Sequence, residues 1–407
     1  MEHSEAGHRV ELGREELKSR VRVAIVHHWF VTRGGGERVA ECIASLFPEA
    51  EIFTLLADAP GIPEGLQARR LHTSFLQRIP LAKSYHRHMM PLYPAATEGL
   101  DLRGFDLVIS SDSGPVKGVR MDAGAVHICY CHSPMRYLYD GYETYRAQMG
   151  VATRTVFSAT AGRVRAWDVR AAQRVSYFIA NSKYVADRIQ RCYGRESVVI
   201  HPPIDLHRAR VASPGEHYLC AGRLVGYKRT ELMVEACARL GRKLRIAGTG
   251  PEEARLKRLA AAANVSFLGE MTTEALWQEY AECRALLFAA DEDFGMVPLE
   301  AQACGRPVIA YGAGGSLETV RGLGMAEKRA TGIYTGIFFS EQTVESVMDG
   351  ILRFEAEEAA GMFDSAIARR WAEEFATPVF LRRLREFVLE KMPEAARAMA
   401  PVVPGVA

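Results

Sequence analysis

The chain reads as an α/β protein built from two Rossmann-like halves, and three observations predict it. Short apolar runs alternate with helix-like stretches along most of its length, as expected for βα units on parallel sheets. The alternation pauses at SVVIHPPID (197–205), where a double proline suits a hinge, and restarts at HYLCAGRL (217–224). At 407 residues there is enough chain for two full cores.

The elements follow in order. Residues 1–20 are charged and lack an apolar core segment, so an N-terminal extension without a secretory signal is expected there. VRVAIVHH (21–28), EIFTLL (51–56), LVIS (107–110), VHICYC (126–131) and YFIANS (177–182) are the strands of a first domain over 21–200. Asn181 or Ser182 starts a helix that Gly194 stops. HYLCAGRL, KLRIAGTGPEEARLKRLA (243–260), VSFLGEM (265–271), RALLFAA (284–290) and RPVIAY (306–311) carry a second domain over 201–375. A helical apolar pattern then runs through 376–395, and the tail 396–407 is expected to fray.

Composition narrows the function. Net charge is +2, from 51 basic and 49 acidic residues, which excludes a strong nucleic-acid field. Eight scattered cysteines fit a reducing cytosol better than a disulfide framework. Cys129-x-Cys131-His132 lacks a second pair at structural-zinc spacing, so no metal is assigned to it. No apolar run approaches bilayer-spanning length. A cytoplasmic protein is expected, one that meets any lipid acceptor peripherally, from the inner face of the plasma membrane. Residues 65–97 hold five Arg or Lys, no acid and interleaved apolar side chains, which suits an anionic membrane surface as well as a solvated loop or an acceptor wall.

The chemistry concentrates between 285 and 320, ALLFAADEDFGMVPLEAQACGRPVIAYGAGGSLETV. Glu292 and Glu300 stand eight positions apart across a loop-to-helix junction, and Pro298 suits a first helical turn. The amides of Phe294, Gly295, Met296 and Val297 then surround the positive end of that helix, where phosphate binds through unpaired N–H groups and the dipole. One acid on either side can hold sugar and ribose hydroxyls, which makes a nucleotide-sugar site. Singly, each acid has an ordinary reading, since carboxylates near helix starts are common for dipole reasons.

The whole string resembles the E-x7-E segment of retaining glycosyltransferases of family 4, here Glu292, DFGMVPL and Glu300. LCAGRLVGYK (219–228) and HICYCHSPMRYLYD (127–140) carry the resemblance further. It implies the GT-B fold, two Rossmann-like domains facing across a cleft, the first for the acceptor and the second for the donor, with the last helix returning to the first. It implies that Arg223 and Lys228 hold the donor diphosphate, that Gly35 and Gly36 belong to a glycine loop near it, and that His132 faces the transferred sugar. Glu292 is placed on that sugar and Glu300 on the ribose. HSPMRY and GRLVGYKR are most similar to bacterial mannosyltransferases of O-antigen and exopolysaccharide assembly. GDP-mannose is therefore the preferred donor and a UDP-sugar the alternative, with a lipid-linked or glycan acceptor.

Four rival readings stand beside this one. Asp291-Glu292-Asp293 could be a metal-binding D-x-D, but it runs directly into the E-x7-E pattern, so metal-independent donor binding is expected. Gly248-Thr-Gly250 and Gly312-Ala-Gly314 lack the third glycine of a dinucleotide fingerprint. A nucleotide-sugar epimerase of GT-B architecture has the same outline, but these motifs do not resemble its own; a silent nucleotide-sugar binder stays open, although His132, Arg223, Lys228, Glu292 and Glu300 are all present.

Overall fold

The computed structural model describes residues 21–261, 264–324 and 334–401. The expected extension 1–20 and the end of the tail, 402–407, lie outside the described residues. The chain divides into two compact units. Among the described residues, one comprises 21–181, Val185–Ile200 and 381–401, and the other comprises Ser182–Tyr184 and the described part of His201–Phe380.

The first unit holds a parallel sheet of β1 (Val23–His27), β2 (Glu51–Thr54), β3 (Leu71–Thr73), β4 (Leu107–Asp112), β5 (Val126–Cys131), β6 (Tyr177–Ala180) and β7 (Ser197–Val199). Their spatial order is β3-β2-β1-β4-β5-β6-β7. Every residue of β1 and β4 is buried, as expected of a parallel sheet covered on both faces. Helices α1 (Gly35–Ser45), α2 (Val151–Arg174) and α3 (Lys183–Tyr193) flank it. Gly194, at φ 63°, ends α3 in the left-handed turn that glycine adopts at no steric cost.

The second unit repeats the plan with β8 (Tyr218–Ala221), β9 (Leu244–Ala247), β10 (Val265–Gly269), β11 (Ala285–Phe288), β12 (Val308–Tyr311), β13 (Gly322–Leu323) and β14 (Gly336–Phe339), in the order β10-β9-β8-β11-β12-β14-β13. Its helices include α4 (Thr230–Leu240), α5 (Thr273–Glu282), α6 (Met296–Ala303), α7 (Val344–Ala359) and α8 (Ser365–Glu373). Alternation along the strands divides the core in two. Leu219 and Ala221 of β8 pack with Leu299 and Ala303 of α6, whereas Tyr218 and Cys220 pack with Met233 of α4 and the Val347, Ile351, Phe354 stripe of α7. A last helix, α9 (Thr377–Lys391), has Phe380 counted with the second unit and Leu381 onward with the first.

Strands β3, β7, β13 and β14 are additions to the sequence reading. The first is three residues long with a histidine at its centre, and β13 is a two-residue pair. Runs this short carry no periodicity to detect. The basic stretch 65–97 folds as short turns around β3. Phe75, Leu81, Tyr85 and Leu92 are exposed, Leu81 to 71%. Its cations are in part already engaged: Arg69 donates to the carbonyls of Ala44 and Phe47, Arg70 lies 3.6 Å from the Glu51 carboxylate, and Lys83 pairs with Asp58 at 2.6 Å. Among the described residues, no helix is long and apolar enough to cross a membrane.

A buried charge cluster ties the first unit together. The Lys117 ammonium lies 3.2 Å from Asp112 at the end of β4 and 2.6 Å from Asp168 on α2, all three almost fully enclosed. Burial opposes the lysine charge, but the two carboxylates outweigh it and raise its pKa. The hydroxyls of Tyr139 and Tyr193 donate to Asp168, and the amides of Gly114 and Val116 donate to Asp112. Removing one partner strands the rest in a dry site. Asp168→Ala is expected to cost the first unit about 3–5 kcal/mol in urea unfolding. A loss below about 1 kcal/mol, the worth of an exposed ion pair, would show that the cluster is solvated.

Candidate functional site

In the second unit the connections leave β8 in opposite directions, to β9 on one side and β11 on the other. The loops that follow β8 and β11 therefore diverge at the carboxyl end of the sheet, the place where open α/β sheets bind ligands. Both sequence motifs fall there. Gly222 to Lys228 leaves β8, and Ala289 to Gly295 leaves β11. They line one hollow, with Gly222, Arg223 and Lys228 on one wall and Phe288, Ala289 and Ala290 on the other.

The Lys228 ammonium meets the Glu292 carboxylate directly, so the first charge pair of the site is internal. Burial pulls the lysine pKa down to about 8, while Cys220 and Glu300 pull the other way. Arg223 is exposed on the same loop. The three acids of the triplet part company: Glu292 turns to Lys228, Asp291 accepts from the Tyr184 hydroxyl, and the Asp293 carbonyl accepts from Ser182.

Gly295 caps α6 with φ 91°, a left-handed conformation that favours glycine there, and Met296 and Val297 form the first turn. The first amides of a helix have no intrahelical partner, so they face whatever lies before Gly295. Phe294 offers its backbone, because the residue is 4% exposed and its ring stacks on His201 and packs tilted against Phe375. Glu300 lies in the second turn, with one carboxylate oxygen fixed by the buried Tyr280 hydroxyl at 2.9 Å. Burial, and then Glu300 itself, holds the Tyr280 phenol far above its ordinary pKa, so it is a permanent donor.

The turn after β12 props this loop from behind. The Gly315 amide donates to the Glu292 carbonyl at 2.8 Å, and a Cβ on Gly315 would meet the Phe294 backbone at 2.2 Å. Gln302 of α6 bonds the carbonyls of Pro298 and Thr319, joining helix to turn. Glu318 accepts from the amides of Lys183 and Tyr184 and from His201; burial opposes its charge, and these bonds still lower its pKa. Tyr280, Gln302 and Glu318 escaped the sequence reading. Only Glu318, three residues beyond a glycine pair, carried any local signal.

In the first unit the reversal falls between β1 and β4. Gly35 and Gly36 open α1, and a Cβ on Gly36 would lie 3.5 Å from His27 and 3.8 Å from the His132 Nε2. His132 follows β5, donates its amide to the Asp112 carbonyl at 2.7 Å and shares a 2.8 Å bond with the Ser111 hydroxyl. Burial, and then His27, lowers its pKa to about 3, so the ring is neutral in any physiological buffer. A cavity of about 410 Å³ in this unit opens beside Val23, Glu51 and Phe105. Those are the amino-terminal ends of β1, β2 and β4, the wrong end of the sheet for the switch-point crevice.

The two sheets, each reversing order about its first strand, define a pair of Rossmann-like units of the GT-B kind. The family described as Glycosyltransferase Family 4 matches residues 33–208, and that described as Glycosyl transferases group 1 matches residues 206–373. The chain belongs to the family 4 glycosyltransferases. It is 34% identical to a D-inositol 3-phosphate glycosyltransferase of Geodermatophilus obscurus, over 35% of this chain and 39% of that protein. It is 32% identical to a GDP-mannose-dependent monoacylated alpha-(1-6)-phosphatidylinositol monomannoside mannosyltransferase of Corynebacterium glutamicum, over 34% of this chain and 45% of that one. The chain thus spans less than half the length of these relatives. Its fold is similar to that of Anabaena HepE, solved with UDP-glucose, at a TM-score of 0.64 and 18% identity over 90% of this chain and 99% of the other.

Proposed function

We propose that the protein is a retaining glycosyltransferase that moves a hexose to a lipid-linked or polysaccharide acceptor in cell-surface polysaccharide biosynthesis. Mannose from GDP-mannose is the preferred donor. The observation that carries this reading is the meeting of the two loops at the switch point of the second unit, where Lys228 contacts Glu292, feels the charge of Glu300, and lies on the loop facing the one that leads into α6. A cation and free amides suit a diphosphate; an acid on each side suits the hydroxyls flanking it. The name of the Corynebacterium relative supports mannose, and the UDP-glucose bound to HepE keeps a UDP-sugar as the alternative.

In this reading the donor diphosphate displaces Glu292 from Lys228. Lys228, Arg223 and the amides around Gly295 then stabilise charge on the departing nucleoside diphosphate, which is electrostatic catalysis by groups already in place. The bond from the anomeric carbon to the phosphate oxygen breaks, the acceptor oxygen attacks from the same face, and its proton passes to the leaving phosphate. Glu292, once free, holds hydroxyls of the transferred sugar. Glu300, oriented by Tyr280, holds the ribose. His132 serves transfer as a neutral hydrogen-bonding imidazole. No step requires a divalent cation on the diphosphate.

Purified protein heated with a panel of GDP- and UDP-sugars tests the donor, because a ligand bound to the folded state raises apparent stability. Protection by GDP-mannose above all others is expected. Protection confined to UDP-sugars would replace the donor, and none from any nucleotide sugar would end the reading.

Lys228 sets a pH dependence. Its folded pKa of about 8 lies below the ordinary lysine value, so the free protein loses this charge as pH rises through about 8. A diphosphate favours the charged form. Affinity for the nucleoside diphosphate is therefore expected to fall above about pH 8, by at most about tenfold per pH unit. Lys228→Arg keeps a charge throughout and should lose that descending limb in calorimetric titration. A limb unchanged in the variant would assign the titration to another group.

The two acids should separate in the same experiment. Glu292→Gln is expected to lower kcat strongly while nucleoside diphosphate affinity is kept or raised, because the internal competitor for Lys228 is gone. Glu300→Ala should weaken that affinity by about 1–3 kcal/mol, the scale of stranding a buried hydrogen-bond partner. Equal affinity losses in both variants would overturn their assignment to opposite ends of the diphosphate.

A further inference from the structure

We infer that His27, His28 and Glu37 form a binding site for a divalent transition-metal cation of the zinc class in the first unit. One potential ligand atom from each side chain lies within 4.8 Å of the others, and all three residues are buried. The His27 Nε2 stands 3.9 Å from a Glu37 carboxylate oxygen. Bonds of ~2.1 Å to a tetrahedral ion place ligand atoms roughly 3.4 Å apart, so small side-chain movements complete the set.

The proton on His27 decides what the cluster can hold. Its Nδ1 lies 3.0 Å from the Ser111 carbonyl oxygen, which can only accept. Nδ1 therefore carries the hydrogen, and in the neutral ring Nε2 presents a lone pair. That nitrogen is buried, has no hydrogen-bond partner and faces the carboxylate of Glu37. A lone pair against an anion repays none of the desolvation of either group. His28 repeats the pattern. Its Nε2 can donate to the Ser113 hydroxyl at 3.3 Å, leaving Nδ1 buried and without a well-formed hydrogen bond, while the Ser111 backbone beside the ring also acts on it. Helix-dipole stabilisation accounts for Glu37 in the first turn of α1, but not for two orphaned imidazole nitrogens beside it.

A cation between these atoms satisfies all three at once. Two neutral imidazoles and one carboxylate with a fourth position open are a donor set that zinc takes. The carbonyl bonded to the far nitrogen of His27 is the usual device that fixes the tautomer of a metal-bound histidine. Glu37 keeps a tenth of its side chain exposed, which gives the ion an approach and room for a water. The site also bears on His132. Metal on Nε2 fixes the His27 Nδ1 proton on Ser111, whose hydroxyl is then free to donate to the His132 Nε2 at 2.8 Å.

The inference uses no residue of the second unit and does not rest on the donor reading. Its test is a titration of metal-free full-length protein with Co²⁺, read by visible ligand-field absorption. One ion per chain is expected, with nitrogen and oxygen neighbours and no thiolate charge-transfer band, a control that eight cysteines make necessary. Glu37→Gln and His28→Asn should each weaken binding at least about tenfold. Stoichiometric binding that neither variant weakens would overturn the site, as would no binding to the unaltered protein. X-ray absorption on the unaltered, cobalt-loaded protein decides the matter even if a variant fails to fold. Sulfur in the first coordination shell would place the ion on cysteines and reject the inference.

Discussion

Everything at the candidate site depends on a constraint of sheet order. Because β9 and β11 pair with opposite edges of β8, the chain must leave β8 and β11 toward opposite faces of the sheet. The two loops cannot pack together along their length, and a gap opens where they part. Arg223, Lys228, Glu292 and the start of α6 acquire a common neighbourhood from that topology alone, although some seventy residues separate the first from the last. The Gly315 turn then holds the β11 loop at a fixed depth, through contact with the Phe294 backbone that no side chain could allow.

Much of this was legible in the sequence, and the reason is visible residue by residue. The strands that line the switch points, Val23–His27, Leu107–Asp112, Tyr218–Ala221 and Ala285–Phe288, are nearly continuous apolar runs, because both faces are covered. Glycine marks the turns beside them. The residues that support the site were silent. Tyr280 reaches Glu300 from a helix twenty positions earlier, and Gln302 and Glu318 act through backbone carbonyls and amides that only the fold brings near. The pairing of Lys228 with Glu292 was equally hidden, since spacing assigns a residue to a loop and not to a partner. At the edges, β3 and β13 are too short for any pattern.

The first unit shows how one backbone atom can govern several side chains. The Ser111 carbonyl fixes a proton on His27, and the hydroxyl of the same residue reaches His132. Histidine tautomers are normally free to exchange; here the far end of β4 selects one. Its next residue, Asp112, belongs to the buried Lys117 cluster, so this strand end joins the imidazoles to the most enclosed charges of the unit. The positions of His27 and His132 are therefore set by groups that touch no ligand.

Lys228 and Glu292 carry a consequence of a different kind. An anionic guest reaches the lysine only by evicting the glutamate, so the empty hollow holds an intramolecular competitor at very high local concentration. Eviction also releases a carboxylate at the moment the hollow fills. In the proposed reading, the same ion pair keeps one carboxylate occupied until an anion takes its place.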